Sequence, residues 1–246
     1  MVSAFDVEQG LVLYHKAGRG KGNELALARE LIASLDITDA ILTLDALHCQ
    51  VDTISQIKEK GGIALIQCKQ NQPKLHAAVD ALFQACWAKP EQEQACLSES
   101  EQGHGRKETR TVYRTALILE GELEEKWSDL VSIAAVVRER TLKGKTSHET
   151  HYYVCTEHLS LNELMQATRR HWHTENSQHH VLDVTFREDA QRMYAGNSAV
   201  NIACFKRLGL NLLKQMDDPK NKTISRKMGW CAGSDEYRHD VLFGKS

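Results

Sequence analysis

The spacing of apolar residues divides the first third of the chain into strands that alternate with helices. The predicted order is strand, strand, helix, strand, helix, strand, helix over residues 1–7, 11–17, 23–35, 40–47, 50–60, 63–69 and 73–87. The short turn between the first two strands favours an antiparallel hairpin. The two later strands are short apolar runs, which are typical of buried parallel strands. This order predicts an α/β fold in which a mixed sheet carries helices on its faces.

The rest of the chain has weaker patterns. Residues 88–105 are polar and contain glycine, so they are predicted to form a loop, and three imperfectly alternating runs then predict a small β-rich insertion. Two helices are expected after it, and the polar, basic residues from 217 onward are expected to be poorly ordered. The runs and helices lie at 108–119, 132–140, 151–156, 160–183 and 199–216. The predicted divisions are 1–87, 88–158, 159–216 and 217–246.

Composition is that of a soluble globular protein, with 246 residues, 41% hydrophobic and 26% charged. A net charge of -2 excludes a strongly basic nucleic-acid binder of the histone kind, although local basic patches can still bind DNA. Three candidate patches lie within 106–114, 138–145 and 206–227, and solvated surface is the alternative for each. Seven cysteines without a CxxC pair predict reduced, mostly buried thiols in a cytoplasmic protein. The apolar runs are shorter than the ~18 residues that a membrane span needs.

Two isolated acids are the main candidates for chemistry. Asp45 ends an apolar run, ILTLDALH, where a charged group is costly unless it is paired or bound to metal. Catalytic groups of such sheets also tend to lie at the carboxyl ends of strands, although Asp45 could instead cap the following turn. Glu175 lies in a helix-period segment rich in His and Asn, where it could equally be a surface residue. Two carboxylates brought together by folding can bind the Mg²⁺ ions of a phosphoryl-transfer site.

Other polar segments are open to more than one interpretation. Lys69, Asn71 and Gln72 follow the second predicted parallel strand and could hold a phosphate or sugar, or form an ordinary loop. The segment GHGRKETR at 103–110 is basic and flexible, which is weak support for a DNA contact. A nucleophile elbow and a glycine-rich phosphate loop are both absent from the sequence.

One helix face offers a third chemistry. His171, Glu175, His179 and Asp183 recur every fourth residue and could act as the zinc or di-iron ligands of a metallohydrolase. The sequence does not contain an HExxH motif or a second matching helix, so this hypothesis stands behind the magnesium one.

Seven segments, in their order and approximate spacing, resemble the DDE transposases of bacterial insertion sequences, in the branch that includes the H-repeat-associated proteins. These segments are 2–13, 41–50, 69–76, 103–110, 151–154, 171–203 and 210–214. The resemblance implies a ribonuclease-H-like mixed sheet flanked by helices, with a β-rich insertion before the last catalytic helix. It also implies double-stranded DNA, both element ends and target, as the partner of a homo-oligomer assembled on DNA.

The resemblance assigns the site residues as well. Asp45 would be the second acid of the catalytic triad and Glu175 the third, and both would bind Mg²⁺ or Mn²⁺ for DNA strand cleavage and strand transfer. His171 and Trp172 would lie near the bound strand, and Asn176 and His179 would support the metal site. The remaining residues expected to contact DNA are Lys69, Asn71, Gln72, His104 and Arg106.

Two departures from the family pattern qualify this assignment. The first acid of the triad is expected on a strand before VSAF, and Asp6 cannot replace it because it lies past the wrong strand. Thr174 stands where an aliphatic residue usually precedes the Glu. The sequence therefore predicts a truncated, defective transposase that lacks the first strand, and the alternative is a non-catalytic DNA-binding remnant.

Overall fold

Six strands of the computed structural model form one mixed sheet, in the order β3-β4-β8-β7-β6-β5. The structure describes residues 2–16, 23–89, 95–103, 106–174, 178, 180–188, 190, 192, 196–218 and 222–244. The chain separates into two units, the sheet unit (residues 32–169) and the hairpin unit (residues 1–31 and 170–246). The strands of the sheet unit are β3 Ile41–Leu44, β4 Ile63–Cys68, β5 Cys96–Gly103, β6 Arg106–Ala116, β7 Ser132–Leu142 and β8 Lys145–Cys155.

The pairing of these strands confirms the predicted mixed sheet. Strands β3 and β4 are parallel, and the helix between them makes the crossover that parallel strands require. The other neighbours pair antiparallel. The helices of this unit are α2 Val51–Glu59, α3 Pro73–Trp87, α4 Glu122–Lys126 and the part of α5 (Leu161–Thr174) up to residue 169.

Both faces of the sheet are covered by apolar side chains. Consecutive strand residues point to opposite faces, so Leu65 and Ile66 of β4 belong to different clusters. The Ile66 face packs against α2 and α3, with Phe83 at its centre, and the Leu65 face packs against Leu164 and Met165 of α5. The predicted cover of helices on both faces is therefore confirmed.

The loop predicted at 88–105 is wrong over β5. This strand pairs with β6 along its whole length, and hydroxyl groups bridge the pair at Ser98–Thr111 (2.8 Å) and Ser100–Thr109 (2.9 Å). Nearly all of its side chains are polar and exposed, so it lacks the apolar alternation from which strands are predicted. The predicted β-rich insertion therefore extends the main sheet, to which it is joined through β8 and β4.

The hairpin unit contains the predicted antiparallel hairpin. Its strands are β1 Val2–Asp6 and β2 Leu11–Lys16, and its helices include most of α1 (Glu24–Ser34), α6 Ser198–Gln215, α7 Ile224–Gly233 and α8 Asp235–Phe243. Helix α6 packs on β2, where the Asn211 amide donates to the carbonyl of Val12 (2.8 Å) and accepts from its N–H (2.9 Å). The Asn211 side chain thus satisfies the Val12 backbone as a neighbouring strand would.

The poorly ordered tail expected from residue 217 is wrong for residues 224–243, which form α7 and α8. Thr223 and Ser234 cap these helices, since their hydroxyl groups accept from the N–H groups of Arg226 and Tyr237. Lys227 is buried and donates to the carbonyls of Leu213 and Met216 at the end of α6. The sequence alone does not distinguish a buried lysine that donates to carbonyl groups from a lysine exposed to solvent. This explains why the tail was predicted to be poorly ordered.

Three further expectations concern the helix at 160–183, the cysteines and the membrane. The described part of the helix is observed as α5, which is described to Thr174, and Val181–Thr185 is a π-helical turn. Cys49, Cys68 and Cys155 are buried whereas Cys96 and Cys204 are exposed, so the expectation of mostly buried thiols is wrong. Across the described ranges, every helix is too short or too polar to cross a lipid bilayer.

Candidate active site

Asp45 lies at the carboxyl end of β3 and begins the 3₁₀ turn Ala46–His48. Its backbone is extended (φ -68, ψ 162), and its carboxylate makes no capping hydrogen bond to the turn. The side chain is exposed, so the expectation of an acid within a buried strand is wrong. The reason is that β3 is an edge strand whose residues are only half-buried. The alternative role as a turn cap is also unsupported by this geometry.

The loop after β4 holds the turn that carries Asp45. Parallel neighbouring strands end at the same edge of a sheet, so this loop lies beside the turn. The Asn71 amide donates to the carbonyl of Ala46 (2.5 Å), and the Gln72 amide donates to the carbonyl of Cys49 (2.9 Å). Both amides were expected to contact nucleic acid. In the structure, the side-chain N–H groups of Asn71 and Gln72 donate to backbone carbonyls, and these hydrogen bonds hold the turn in place.

Buried side chains lie at this end of the sheet. Cys49 and Cys68 are 0% and 2% exposed, and the hydrogen bond between their thiols raises the pKa of Cys68. Gln67 is also buried and contacts Nδ1 of His151 (3.0 Å). Burial lowers the pKa of His151, and the positive charge of Lys69 acts in the same direction. Lys69 itself is exposed at the same end of β4, in a position that a phosphate could reach.

The second candidate region is described only in part. His171 and Trp172 lie on α5 with their rings edge to face at 5.8 Å, and Trp172 is 38% exposed. The predicted site residues Glu175, Asn176 and His104 lie outside the described residues. The convergence of Asp45 and Glu175 on one cation therefore stays a prediction.

Two polar contacts of the hairpin unit, which the sequence predictions do not include, hold the segment that follows Glu175. Gln178 is 0% exposed, and its amide donates to the hydroxyl of Ser3 on β1 (2.9 Å). Nη1 of Arg207 on α6 donates to both carboxylate oxygens of Glu188, at 2.9 and 3.1 Å. Arg207 is itself buried although it was counted in a basic patch. Buried polar residues break the apolar period, so the pattern offers no signal for them.

Several cations of the three basic patches contact other groups of the protein. In the first two, Arg110 and Arg106 contact Glu108 (3.3 and 4.0 Å) and Arg138 contacts Glu149 (3.1 Å). In the third, the partners are protein groups again: Arg207 with Glu188, Lys214 with the Gly10 carbonyl, Lys222 with Asp218, and Lys227 with the end of α6. The number of basic residues in a sequence segment thus overestimates the positive charge that is exposed on the surface.

The metal-binding capacity can be judged only for the described residues. Asp45 supplies one exposed carboxylate oxygen pair, which suits a hard cation such as Mg²⁺. Groups of three or more His, Cys, Asp or Glu side chains that could share an ion are absent from the described ranges. The helix face proposed for zinc or iron includes Glu175 and His179, both outside those ranges, so that hypothesis is untested.

Comparison with known proteins identifies the family of this chain. A family described as "Transposase DDE domain" matches residues 1–212. "Putative transposase YncI" of Escherichia coli O157:H7 is 35% identical over 98% of this chain and 63% of its own length. "H repeat-associated putative transposase YhhI" of Escherichia coli K12 is 30% identical over 99% of this chain and 65% of its own length. The chain thus spans slightly less than two thirds of the length of these relatives. It belongs to the transposase DDE domain family.

Proposed function

We propose that this chain carries the second and third acids of an insertion-sequence transposase, which cleaves and joins DNA by two-metal phosphoryl transfer. The observation that carries the proposal is the exposed Asp45 carboxylate at the carboxyl end of a parallel strand. A ligand for a catalytic cation must face solvent and keep a fixed position. The bonds from Asn71 and Gln72 to the adjoining turn supply that fixed position.

Asp45 and Glu175 would hold Mg²⁺ or Mn²⁺. Such ions, when bound, stabilise the attacking and leaving oxygens of an in-line displacement at phosphorus. Lys69 would neutralise a nearby DNA phosphate, while Asn71 and Gln72 would act through the turn that they fix. His171, Trp172, Asn176, His104 and Arg106 keep their proposed role as contacts to DNA. The partner is double-stranded DNA, bound at element ends and at the target by a homo-oligomer.

We propose further that a polypeptide of these residues alone is defective in cutting. The family resemblance assigns a second and a third acid within residues 1–246 and gives no match for the first. Two carboxylates bind a single hard ion weakly, and a second ion loses its bridging ligand. DNA binding does not depend on the missing acid, so a non-catalytic DNA-binding remnant is the alternative function.

The test combines metal binding with plasmid nicking. Mn²⁺ binding to the purified protein is measured by calorimetry for the wild type, for Asp45→Asn and for the matched control Asp39→Asn. Asp39 belongs to the same unit and has a positive φ of 58°, which asparagine adopts readily. We expect weak Mn²⁺ binding that Asp45→Asn reduces and Asp39→Asn leaves unchanged. Nicking of a supercoiled plasmid in Mg²⁺ or Mn²⁺ is expected to be negligible for all three proteins.

The alternatives predict other outcomes. Strong metal-dependent nicking that Asp45→Asn abolishes would refute the proposed defect and retain the transposase chemistry. Equal Mn²⁺ binding by both variants, together with salt-sensitive binding of duplex DNA, would favour the non-catalytic remnant. Stoichiometric zinc or iron in the purified protein would instead favour a metallohydrolase on the His171–Asp183 face.

A further inference from the structure

The outer part of the sheet unit is a four-stranded ribbon of mostly polar side chains. We use the term ribbon for the parts of β5, β6, β7 and β8 that reach past the pairing of β8 with β4. That pairing covers Tyr152 to Cys155, so residues 145–151 of β8 continue beyond it. Seven strand residues extend roughly 20 Å. A sheet that leaves its core by this distance gains little from apolar burial and presents its side chains to solvent.

The middle of the ribbon is close to electrically neutral. Cross-strand neighbours place Arg110 and Arg138 between Glu99 and Glu149 in one row. Arg138 contacts the Glu149 carboxylate at 3.1 Å, and Glu99 accepts from Arg169 of α5 at the same distance. Two acidic groups that flank two basic groups cancel their charge at long range, so these arginines contribute little attraction for a polyanion.

The tip of the ribbon has a different charge balance. Its last two cross-strand rows and the β7–β8 turn hold Arg106, Lys107, Lys143 and Lys145, and among the described residues of these rows there is no carboxylate. Lys143 and Gly144 form the turn with positive φ values of 50° and 77°, and all four cations are exposed. The next row holds two acids, Glu101 and Glu108. Glu101 contacts Arg169, and Glu108 contacts both Arg110 and Arg106 of the tip. The three tip lysines therefore present positive charge with no carboxylate among the described residues of their rows.

A recess of about 360 Å³ opens on one face just behind the tip. Arg106 and Arg140 line it, together with Glu101 and Glu108. Each of these carboxylates already has an arginine partner, Arg169 for Glu101 and Arg110 for Glu108. In contrast, Nε of Arg140 is buried and makes no hydrogen bond. The Arg140 guanidinium thus adds a further positive charge beside the cationic tip.

We propose that the ribbon tip binds the phosphate backbone of duplex DNA, with Lys107, Lys143 and Lys145 as the principal contacts. This inference rests on the proposed function and adds to it a DNA contact separate from the acids. Lysine ammonium groups act as point charges that suit phosphates and carry no base preference. The described residues of the tip include no aromatic side chain on which bases could stack, so a duplex fits better than a single strand.

The experiment measures the dissociation constant of the full chain for a fluorescent duplex of arbitrary sequence at several salt concentrations. The tip variant is Lys107→Gln/Lys143→Gln/Lys145→Gln. The control variant is Lys60→Gln/Lys89→Gln/Lys126→Gln, which removes the same charge from the same unit away from the ribbon. Each phosphate contact contributes about 0.9 to the slope of log K against log salt, so the tip variant should lose roughly 2 to 3 from that slope. Its affinity at low salt should fall by on the order of tenfold or more, and the control should stay near wild type.

The outcomes separate this inference from the function on which it rests. Wild-type protein that fails to bind duplex DNA overturns both. Wild-type protein that binds, with tip and control variants that lose equal slope, overturns only the assignment to the tip. Preferred binding of a single strand over the duplex also overturns it. Circular dichroism melts of both variants check that the ribbon still folds, and Lys143→Gln/Lys145→Gln replaces the triple variant if that melts early.

Discussion

The two units of this protein differ in the contacts that stabilise each of them internally. In the sheet unit, apolar clusters cover both faces of the sheet, and their described members all lie within residues 32–169. The hairpin unit also buries apolar side chains, among them Leu182 and Leu210. In addition, its polar side chains bind distant backbone or each other: Asn211 with Val12, Lys214 with the Gly10 carbonyl, Gln178 with Ser3, and Arg207 with Glu188. Of the exposed large hydrophobic residues in the described chain, only Leu47, Ile118 and Leu142 lie in the sheet unit.

This contrast indicates which substitutions each unit should tolerate. Hydrophobic burial is non-directional and tolerates volume-conserving exchange, so the sheet unit should depend on side-chain volume more than on any one polar group. A buried polar contact depends on geometry, and the loss of one partner leaves the other unsatisfied. The hairpin unit should therefore be sensitive to single substitutions of its buried polar residues and insensitive to substitutions of its exposed apolar residues.

The largest expected effect comes from truncating matched phenylalanines in the two units. Phe83 is 2% exposed and its ring stacks on that of Tyr152 at 5.6 Å, so Phe83→Ala should cost about 3–5 kcal/mol of unfolding free energy. Phe205 is 70% exposed, and Phe205→Ala should change it by less than about 0.5 kcal/mol. Urea unfolding of both variants measures the difference. Similar losses would break the comparison, because they would show that the exposed face of α6 is packed in solution.

The second largest expected effect tests the buried polar contacts of the hairpin unit. Arg207→Met leaves Glu188 with its charge uncompensated in a site where the two side chains are 10% and 17% exposed, so we expect a loss of about 3 kcal/mol. Arg226→Met removes an exposed arginine from the same unit and should cost less than about 0.5 kcal/mol. Urea unfolding again supplies the measurement. The double variant Arg207→Met/Glu188→Leu should recover most of the loss, and a double variant as unstable as the single one would contradict the ion-pair explanation.

The same contrast explains which elements the sequence predicts. Strands β3 and β4 and helices α2 and α3 lie within a few residues of their predicted bounds, because burial on one or both faces leaves an apolar pattern. Strand β5 and helices α7 and α8 escape prediction: β5 and α8 consist largely of polar side chains, and α7 lies in a region rich in basic residues. Cross-strand hydroxyl pairs that join β5 to β6 link residues distant in sequence, whereas the caps of α7 and α8 join residues three apart.

The candidate site, too, has features that the sequence predicts and features that it does not. A lone acid after an apolar run predicts the place of Asp45, because strands of this type end where catalytic groups collect. The exposure of Asp45 depends on β3 being an edge strand, which requires knowledge of the strand order. The contacts of Asn71 and Gln72 depend on the register of β3 with β4, and those of the arginines on the register of β6 with β7 and β8. Local composition does not encode register, so these contacts were beyond prediction.

A smaller effect asks whether one polar contact matters in the sheet unit. Asn71→Ala removes the bond to the Ala46 carbonyl and should cost about 1 kcal/mol of unfolding free energy, because apolar packing supports the rest of the unit. The amides of His48 and Cys49, which close the 3₁₀ turn, should also exchange hydrogen faster. Lys74→Ala, an exposed neighbour in α3, is the control and should leave both quantities unchanged. Unchanged exchange in Asn71→Ala would remove the basis for calling this residue a positioning residue of Asp45.

The smallest effect compares one partly buried histidine from each unit. Burial is the main cause that lowers the pKa of His15 in the hairpin unit and of His151 in the sheet unit below the ordinary value of 6.5. A histidine with a lowered folded-state pKa binds fewer protons when folded than when unfolded, so stability is complete above pH 6.5 and declines as pH falls from 6.5 through the folded pKa. Thermal melts between pH 7.5 and 5.5 should therefore show a decline that His15→Gln and His151→Gln each reduce. Because the residues lie in different units, the reductions should add in the double variant. If either substitution leaves the decline intact, or if the double variant matches one single variant, then the two rings do not titrate independently and the separation of the units by contact type is too simple.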